Sequence, residues 1–163
     1  DMVQSRGLGD VYKRQDVVYP YQCGIYQWRA TYNMDIYNSF MNTLSTDVLD
    51  KDKKLSNSTI GWTQFVNRKR YIDSYMMNEN FISWGCEDDE FYFRMSTLGN
   101  RIGRVHNYVY HLEHSRTHNS WFSNPNFNSN YQLWSSIKTF DRQQLMNYYK
   151  DQSYFKNRKK QLA

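Results

Sequence analysis

The chain has 163 residues, 39% hydrophobic and 18% aromatic, which is enough to form one core, and it contains no apolar run of about 20 residues of the kind that a membrane span requires. The net charge is +5, but the basic excess lies at the two ends, and residues 16–149 carry equal numbers of basic and acidic residues. These observations exclude a membrane-spanning segment within these residues and argue against a nucleic-acid partner, and we expect a globular cytoplasmic protein.

Residues 1–15 differ in kind from the rest of the chain. Asp10–Gln15 reads as the translation of the mosaic-end adapter used in transposon-based sequencing libraries, and Met2–Gly9 resembles the extension often seen with it. We therefore expect residues 1–15 to be an adapter-like artefact that is disordered and does not belong to the fold. We also expect the natural reading frame to begin upstream, which would make this chain a C-terminal fragment.

A short strand and a long helix are predicted next. Asp16–Tyr21 is β-branched and interrupted by a proline, as at the end of a strand. After Gly24, apolar residues recur every four positions, which predicts a helix with one face on a sheet. The stripe consists of Trp28, Tyr32, Ile36, Phe40, Leu44 and Val48.

Four acidic residues in a row then follow a Trp-Gly turn. Ile60–Val66 is predicted to be a strand, and Asn67 is expected to cap a short helix that runs to Met76. The segment Trp84-Gly85-Cys86-Glu87-Asp88-Asp89-Glu90 opens a further helix that should end at Gly99. Acidic first turns are usually structural, because a helix N-terminus is its positive end. The acids alone therefore do not establish a catalytic site.

The remaining elements are a strand, a loop and an amphipathic segment. Arg101–Leu112 is rich in Val and Tyr and reads as a strand. An irregular loop over Thr117–Asn130 precedes the amphipathic segment Leu133–Tyr149, within which Asp141 and Gln144 are spaced as a capping box. Residues 150–163 form a basic tail that we expect to be frayed and solvated.

Three motifs in this order resemble the galactosyltransferase C-terminal domain: Gly61-Trp62-Thr63, Asn78–Glu90 and His114-Ser115-Arg116. That domain occurs in beta-1,4-galactosyltransferases and related bacterial sugar transferases, and the resemblance covers residues 60–130. It implies an α/β fold over residues 16–149, the C-terminal part of a GT-A (nucleotide-diphospho-sugar transferase) fold with an incomplete mixed sheet flanked by helices. It also implies a metal-dependent inverting enzyme. Such an enzyme moves a galactose- or N-acetylgalactosamine-type sugar from a UDP-sugar to a carbohydrate acceptor.

The resemblance assigns roles within these motifs. Asp88 corresponds to the general base that takes the proton of the acceptor hydroxyl. Glu87 and Asp89 would hold the acceptor or orient the base, and Trp84 would offer an apolar ring to a sugar face. Gly61 would let the acceptor or donor approach the backbone.

Metal binding and loop closure are implied as well. His114 corresponds to a ligand of a divalent metal, for which Mn²⁺ is expected, and His111 lies where some members have a second, weaker ligand. A His-x-x-His pair also occurs in zinc hydrolases, although the helical His-Glu-x-x-His arrangement is absent from this sequence. The loop after His114, with Trp121, Phe122 and Phe127, would be a mobile lid or an ordinary surface loop.

The chain departs from the family pattern in two respects. Tyr75-Met76 stands where members commonly have Gly-Gly or Asn-Gly, so the turn there is expected to differ. The metal- and nucleotide-binding Asp-x-Asp motif would precede Val17 and is absent, so we expect this chain by itself to transfer no sugar. The alternative from another class is a non-catalytic carbohydrate- or polyanion-binding module that uses Trp84, Trp121 and the basic tail.

Overall fold

The computed structural model describes residues 14–51, 53–56 and 60–162, so the adapter-like segment lies outside the described residues except for Arg14 and Gln15. The chain divides into two compact units. The first contains residues up to Val18 together with Phe65–Gly103 and the chain from Arg116 onward, and the second contains Tyr19–Gln64 and Arg104–Ser115.

Short strands alternate with helices along the chain. In chain order they are β1 (Val17–Tyr19), β2 (Gln27–Thr31), α1 (Met34–Thr43), α2 (Asp47–Asp50), β3 (Lys54–Leu55), β4 (Phe65–Val66), α3 (Arg68–Asp73), α4 (Glu87–Thr97), β5 (Ile102–Arg104), β6 (Val109–Glu113), α5 (Phe127–Ile137), α6 (Arg142–Lys150) and α7 (Ser153–Leu162). The strands form two three-stranded sheets, ordered β4-β1-β5 and β3-β2-β6. The α/β class with small sheets flanked by helices is therefore confirmed. None of the helices in the described residues is long and apolar enough to cross a bilayer.

Helices build the core of the first unit. Its buried members come from the segment between α3 and α4 and from α5, α6 and α7, and they are Met76, Phe81, Ile137, Leu145, Tyr149, Tyr154 and Phe155. Burying each large apolar side chain contributes about 1.5–3 kcal/mol. Tyr154 and Phe155 lie in α7, so Ser153–Leu162 is a packed helix, whereas a frayed tail was expected from its charge.

Local capping signals placed several helix ends correctly. Asn67 caps α3, because the Arg70 N–H donates to Asn67 Oδ1 at 3.1 Å. Asp141 and Gln144 form the predicted capping box at the start of α6, with both hydrogen bonds at 2.8 Å. This cap divides the segment predicted as one amphipathic stretch into α5 and α6. Gly99, with φ +86°, follows α4 as predicted.

The turn after α3 has a glycine-like backbone without glycine. Tyr75 and Met76 have φ values of 73° and 61°, a region that glycine enters with the least strain. The Tyr75 and Met76 amides donate to Ile72 O and Tyr71 O, at 3.1 and 2.9 Å, which closes the turn.

In the second unit, the helix predicted after Gly24 is wrong in its first part. Gln27–Thr31 is β2, which pairs antiparallel with β3 and parallel with β6. The helix begins only at Met34, where Asn33 Oδ1 accepts the Ile36 N–H at 2.8 Å, and it has no buried residue. The apolar residues spaced four apart belong partly to the strand β2 and partly to the helix α1. Their spacing did not reveal the strand, because the strands that pair with β2 are distant in sequence.

Two predicted strands are also shorter in the structure. Ile60–Val66 retains only Phe65–Val66 as a strand, so Gly61 lies in a bend and is exposed. Arg101–Leu112 is divided into β5 and β6, which belong to different sheets. The backbone between them turns at Val105–Tyr108, where the Asn107 N–H donates to Val105 O at 2.9 Å.

Candidate functional site

The Trp84–Glu90 segment is a tight turn followed by the first turn of α4. Ser83, Gly85 and Cys86 all have positive φ, of 63°, 130° and 67°. Gly85 is required there, because a Cβ on it would lie 2.9 Å from Phe127 Cδ2. The Gly85 N–H donates to Glu87 Oε2 at 2.6 Å. The turn thus holds the Trp84 backbone and the acidic residues in one arrangement.

Asp88 has the most unusual carboxyl group of the segment. It is partly buried between Glu87 and Asp89. Burial, followed by the negative charges of Glu87 and Asp89, raises the pKa of Asp88 to about 6. A carboxylate with a pKa close to neutral accepts a proton more readily than an ordinary aspartate and can still release it to water.

The neighbours of Asp88 differ in what they do. Glu87 accepts the Gly85 N–H, so its carboxylate stabilises the turn in addition to any contact with an acceptor. Asp89 is exposed, and desolvation raises its pKa. The pKa of the Cys86 thiol is also raised, by burial first and then by Asp89 and Glu87, so Cys86 is uncharged at neutral pH.

Acidic residues in a first turn usually serve the helix dipole, and the structure gives Glu90 a further role. It is fully buried and forms a two-point ion pair with Arg94, with Nε–Oε1 and Nη2–Oε2 distances of 2.6 and 3.2 Å. The Tyr149 hydroxyl donates to Glu90 Oε1 at 2.6 Å and accepts from Asn78 Nδ2 at 2.9 Å. Arg94 also donates to Ser74 O. This network connects α4 to α6 and to the turn after α3.

This network was not predicted from the sequence, although the sequence contained one sign of the ion pair. Glu90 and Arg94 are four residues apart, the spacing at which opposite charges meet on a helix. Nothing local indicated that Tyr149 would complete the network from α6. Burial and the Glu90 charge raise the pKa of Tyr149, so its hydroxyl remains a hydrogen-bond donor at neutral pH.

Trp84 lies within a cluster formed by the three predicted lid residues. Its ring centroid is 5.7 Å from Phe127, 5.3 Å from Trp121 and 5.2 Å from Phe122. The Phe127 ring is stacked on Trp84, and the Phe122 ring meets it edge-on. Trp121 and Phe122 are 37% and 61% exposed, so the cluster also presents aromatic surface to solvent. The structure therefore brings Trp84 and the lid residues together.

The predicted lid ends earlier than expected, because Phe127 begins α5. Two buried asparagines that the sequence did not single out attach this part of the chain to the Trp84 turn. Asn124 Nδ2 donates to Trp84 O at 2.6 Å, and Asn130 Nδ2 donates to Ile82 O at 3.1 Å. Asn119 O accepts the Ser83 hydroxyl at 2.7 Å.

The other predicted site residues lie in the second unit. The rings of His111 and His114 are 5.5 Å apart between centroids, and Trp62 lies 5.1 Å from His111. His111 Nδ1 is 3.6 Å from Glu113 Oε1, and His114 is exposed. Within the described ranges, no group of three or more His, Cys, Asp or Glu side chains is placed to hold a metal ion. The described part of this unit thus places two imidazoles side by side, with the Glu113 carboxylate next to His111.

Comparison with known proteins relates part of the chain to galactosyltransferases. Residues 48–115 match the family model described as the N-terminal domain of galactosyltransferase, which is less than half of the chain and includes Trp84–Glu90, His111 and His114. A galactosyltransferase domain was predicted from the motifs. The resemblance was to the C-terminal domain, whereas the matched model is described as the N-terminal domain. No curated protein and no solved structure matched the chain.

Proposed function

We propose that the chain carries the acceptor side of a metal-dependent, inverting glycosyltransferase with a GT-A fold. The donor would be a UDP-sugar of galactose or N-acetylgalactosamine type, and the acceptor a carbohydrate hydroxyl. The observation that carries the proposal is the partly buried Asp88, with a pKa near 6, directly after the Trp84-Gly85 turn and inside the galactosyltransferase match.

Asp88 acts as the general base. Its carboxylate takes the proton of the acceptor hydroxyl while that oxygen forms a bond to the anomeric carbon of the donor. The bond from the anomeric carbon to the diphosphate oxygen breaks on the opposite face, so the configuration is inverted. Asp89 is exposed beside Asp88 and is available to bind an acceptor hydroxyl, whereas Glu87 holds the Gly85 backbone.

The aromatic cluster forms the apolar wall of the acceptor site. A sugar presents C–H groups on one face of its ring, and an aromatic ring can pack against that face while polar groups bind the hydroxyls. The ring of Trp84 is already in contact with Phe127, Trp121 and Phe122, so the exposed Trp121 and Phe122 are the accessible platform of this cluster. Loop motion that separates Trp121 from Trp84 would expose the Trp84 ring as well.

His114 and His111 are the proposed metal ligands. Imidazole nitrogens suit a divalent transition metal such as Mn²⁺, and the 5.5 Å between the two ring centroids permits both to face one ion. A bound metal would offset the negative charge of the departing diphosphate. His114→Ala should weaken Mn²⁺ binding measured by calorimetry, whereas His118→Ala, which removes another exposed histidine, should leave it unchanged. Equal Mn²⁺ affinities in both variants would remove His114 from this role.

The transfer reaction is tested on a chain that includes the Asp-x-Asp segment implied by the resemblance, since the 163-residue chain alone is expected to transfer no sugar. Asp88→Asn should lower kcat by about 10²–10⁴-fold with little change in donor affinity. Asp35→Asn, which removes an exposed carboxylate from the first turn of α1, is the control. An unchanged kcat in Asp88→Asn would show that Asp88 is not the base.

The exposed aromatic cluster also favours a second candidate function, a non-catalytic carbohydrate-binding module. Both candidates bind a sugar at Trp121, so acceptor binding does not separate them. Metal-dependent binding of a UDP-sugar does, because a lectin-like module has no use for the nucleotide. Binding of UDP-galactose that requires Mn²⁺ supports the transferase, and sugar binding without it supports the module.

A further inference from the structure

Two basic segments that are far apart in the sequence meet on one surface of the first unit. Arg68–Arg70 belong to α3, and Lys156, Arg158, Lys159 and Lys160 belong to α7. A cavity of 460 Å³ is lined from both helices, by Arg68, Tyr71, Ile72, Met76, Arg158 and Gln161. A second cavity of 440 Å³ is lined by Ile72, Asp73, Tyr75, Lys150, Phe155, Lys156 and Lys159. Because Ile72 lines both cavities, they adjoin, and together they are called the α3–α7 groove.

Acidic residues compensate part of this charge. Asp73 pairs with Lys69 at 2.6 Å, Asp151 with Lys156 at 3.0 Å, and Glu79 with Arg158 at 2.5 Å. Three cations that line the groove have no carboxylate within 4 Å among the described residues, namely Arg68, Lys150 and Lys159. The lining residues of the groove therefore carry more positive than negative charge, which attracts anions.

The distribution of charge in the groove favours a chain-like ligand. Separate cations from three helices, Arg68, Lys150 and Lys159, match repeated negative charges along a polymer. A bilayer is flat, and a protein that inserts into it exposes apolar side chains. In the groove, by contrast, the apolar lining residues Met76 and Phe155 are only 2% and 8% exposed.

The aromatic rings of the groove argue against single-stranded nucleic acid, whose bases stack on exposed rings. Tyr75 stacks on Tyr149 at 5.7 Å and meets Phe155 edge-on at 5.0 Å. The Tyr71 hydroxyl accepts the Met77 N–H at 3.1 Å. Both tyrosines are thus engaged in packing and are only partly exposed. The groove offers charge and hydrogen-bond donors but no stacking platform.

We propose that the α3–α7 groove binds an anionic polysaccharide, whose carboxylate, sulfate or phosphate groups pair with the uncompensated cations of α3, α6 and α7. Arginine and lysine both suit such groups, arginine through two parallel hydrogen bonds and lysine as a point charge. None of the residues that line the groove belongs to Trp84–Glu90. The proposal is therefore independent of sugar transfer, and either one can fail without the other.

The test uses the whole 163-residue chain and two polymers that differ only in charge, dextran sulfate and uncharged dextran. Dextran sulfate should bind with an affinity that falls steeply as salt is added, and dextran should not bind. The double variant Arg68→Gln/Lys159→Gln removes one uncompensated cation from each helix and should weaken binding about tenfold. The matched control Lys51→Gln/Lys54→Gln removes the same charge from exposed positions of the second unit and should change affinity less than about twofold.

Three outcomes would overturn the proposal. An equal loss of affinity in both double variants would mean that only net charge matters. Tighter binding to a single-stranded DNA oligonucleotide than to dextran sulfate, lost in the groove variant, would identify a nucleic-acid site. The same result with phosphatidylglycerol vesicles would identify a membrane-binding surface. All four substituted side chains are at the surface, and thermal unfolding of each variant, followed by circular dichroism, verifies that its fold is intact.

Discussion

Replacing Asp88 with asparagine should stabilise the protein at neutral pH. The fold raises the pKa of Asp88 from 3.8 to about 6, so the folded state holds the proton more tightly than the unfolded chain does. The stability contributed by this group is complete below pH 4 and is lost as the pH rises through 6. Asparagine is uncharged and resembles the protonated carboxyl, so the variant avoids the loss.

The size of the effect follows from the pKa difference. At 1.36 kcal/mol for each pH unit, the change from 3.8 to about 6 corresponds to about 3 kcal/mol as an upper bound. Two physical effects reduce it. Asp88 is only partly buried, so solvent screens its charge, and the positive N-terminal end of α4 favours the ionised form. We therefore expect Asp88→Asn to gain about 1–2 kcal/mol above pH 7.

Urea unfolding followed by tryptophan fluorescence measures this gain at pH 8 and at pH 4. The variant should unfold at higher urea than the unmodified protein at pH 8, and the two curves should nearly coincide at pH 4. Asp35→Asn should show no such pH-dependent gain, because Asp35 is exposed. Equal midpoints at pH 8, or a gain of the same size at both pH values, would refute the reasoning that burial and like charge act on Asp88.

Two further variants test the packing around the site. Glu90→Gln leaves the buried Arg94 guanidinium without its carboxylate and should lower the free energy of unfolding by about 3–5 kcal/mol. Lys69→Ala breaks an exposed ion pair and should lower it by less than about 1 kcal/mol. Similar urea midpoints for the two variants would contradict the importance of the buried pair. Gly85→Ala adds a Cβ 2.9 Å from Phe127 at a left-handed position, so it should cost more than Gly24→Ala, where φ is +72° and nothing lies within 4 Å. At Gly24 the backbone strain alone should lower the free energy of unfolding by about 1–2 kcal/mol. Tryptophan fluorescence should change only in Gly85→Ala. Equal stability losses and equal fluorescence in the two variants would exclude the contact with Phe127.

Features that depend on a few neighbouring residues were predicted from the sequence. The Asn67 cap, the Asp141–Gln144 capping box and the glycine after α4 each involve atoms at most four positions apart. The start of α4 at Glu87 follows from the same kind of information, since acidic residues favour a helix N-terminus. The galactosyltransferase resemblance was also contained in the sequence, because it depends on the order of short motifs.

Features that depend on distant partners were not predicted. Gln27–Thr31 became a strand because β6, some eighty positions later, supplies its hydrogen-bond partners. The basic segment after residue 150 became a packed helix because Tyr154 and Phe155 complete a core begun by Met76 and Phe81. Periodicity and charge along one segment contain no information about these partners.

The four acids of the Trp84–Glu90 segment show the same division. The sequence alone determined that a carboxylate cluster follows a Trp-Gly turn at the start of a helix, because helix polarity and glycine conformation act locally. Only the tertiary structure decided which acid does what. Glu90 meets Arg94 and Tyr149 in the core and becomes structural, Glu87 binds the Gly85 backbone, and Asp88 is left partly buried between two like charges. A carboxylate's chemistry depends on burial and on neighbouring charges, and both are properties of the packed chain.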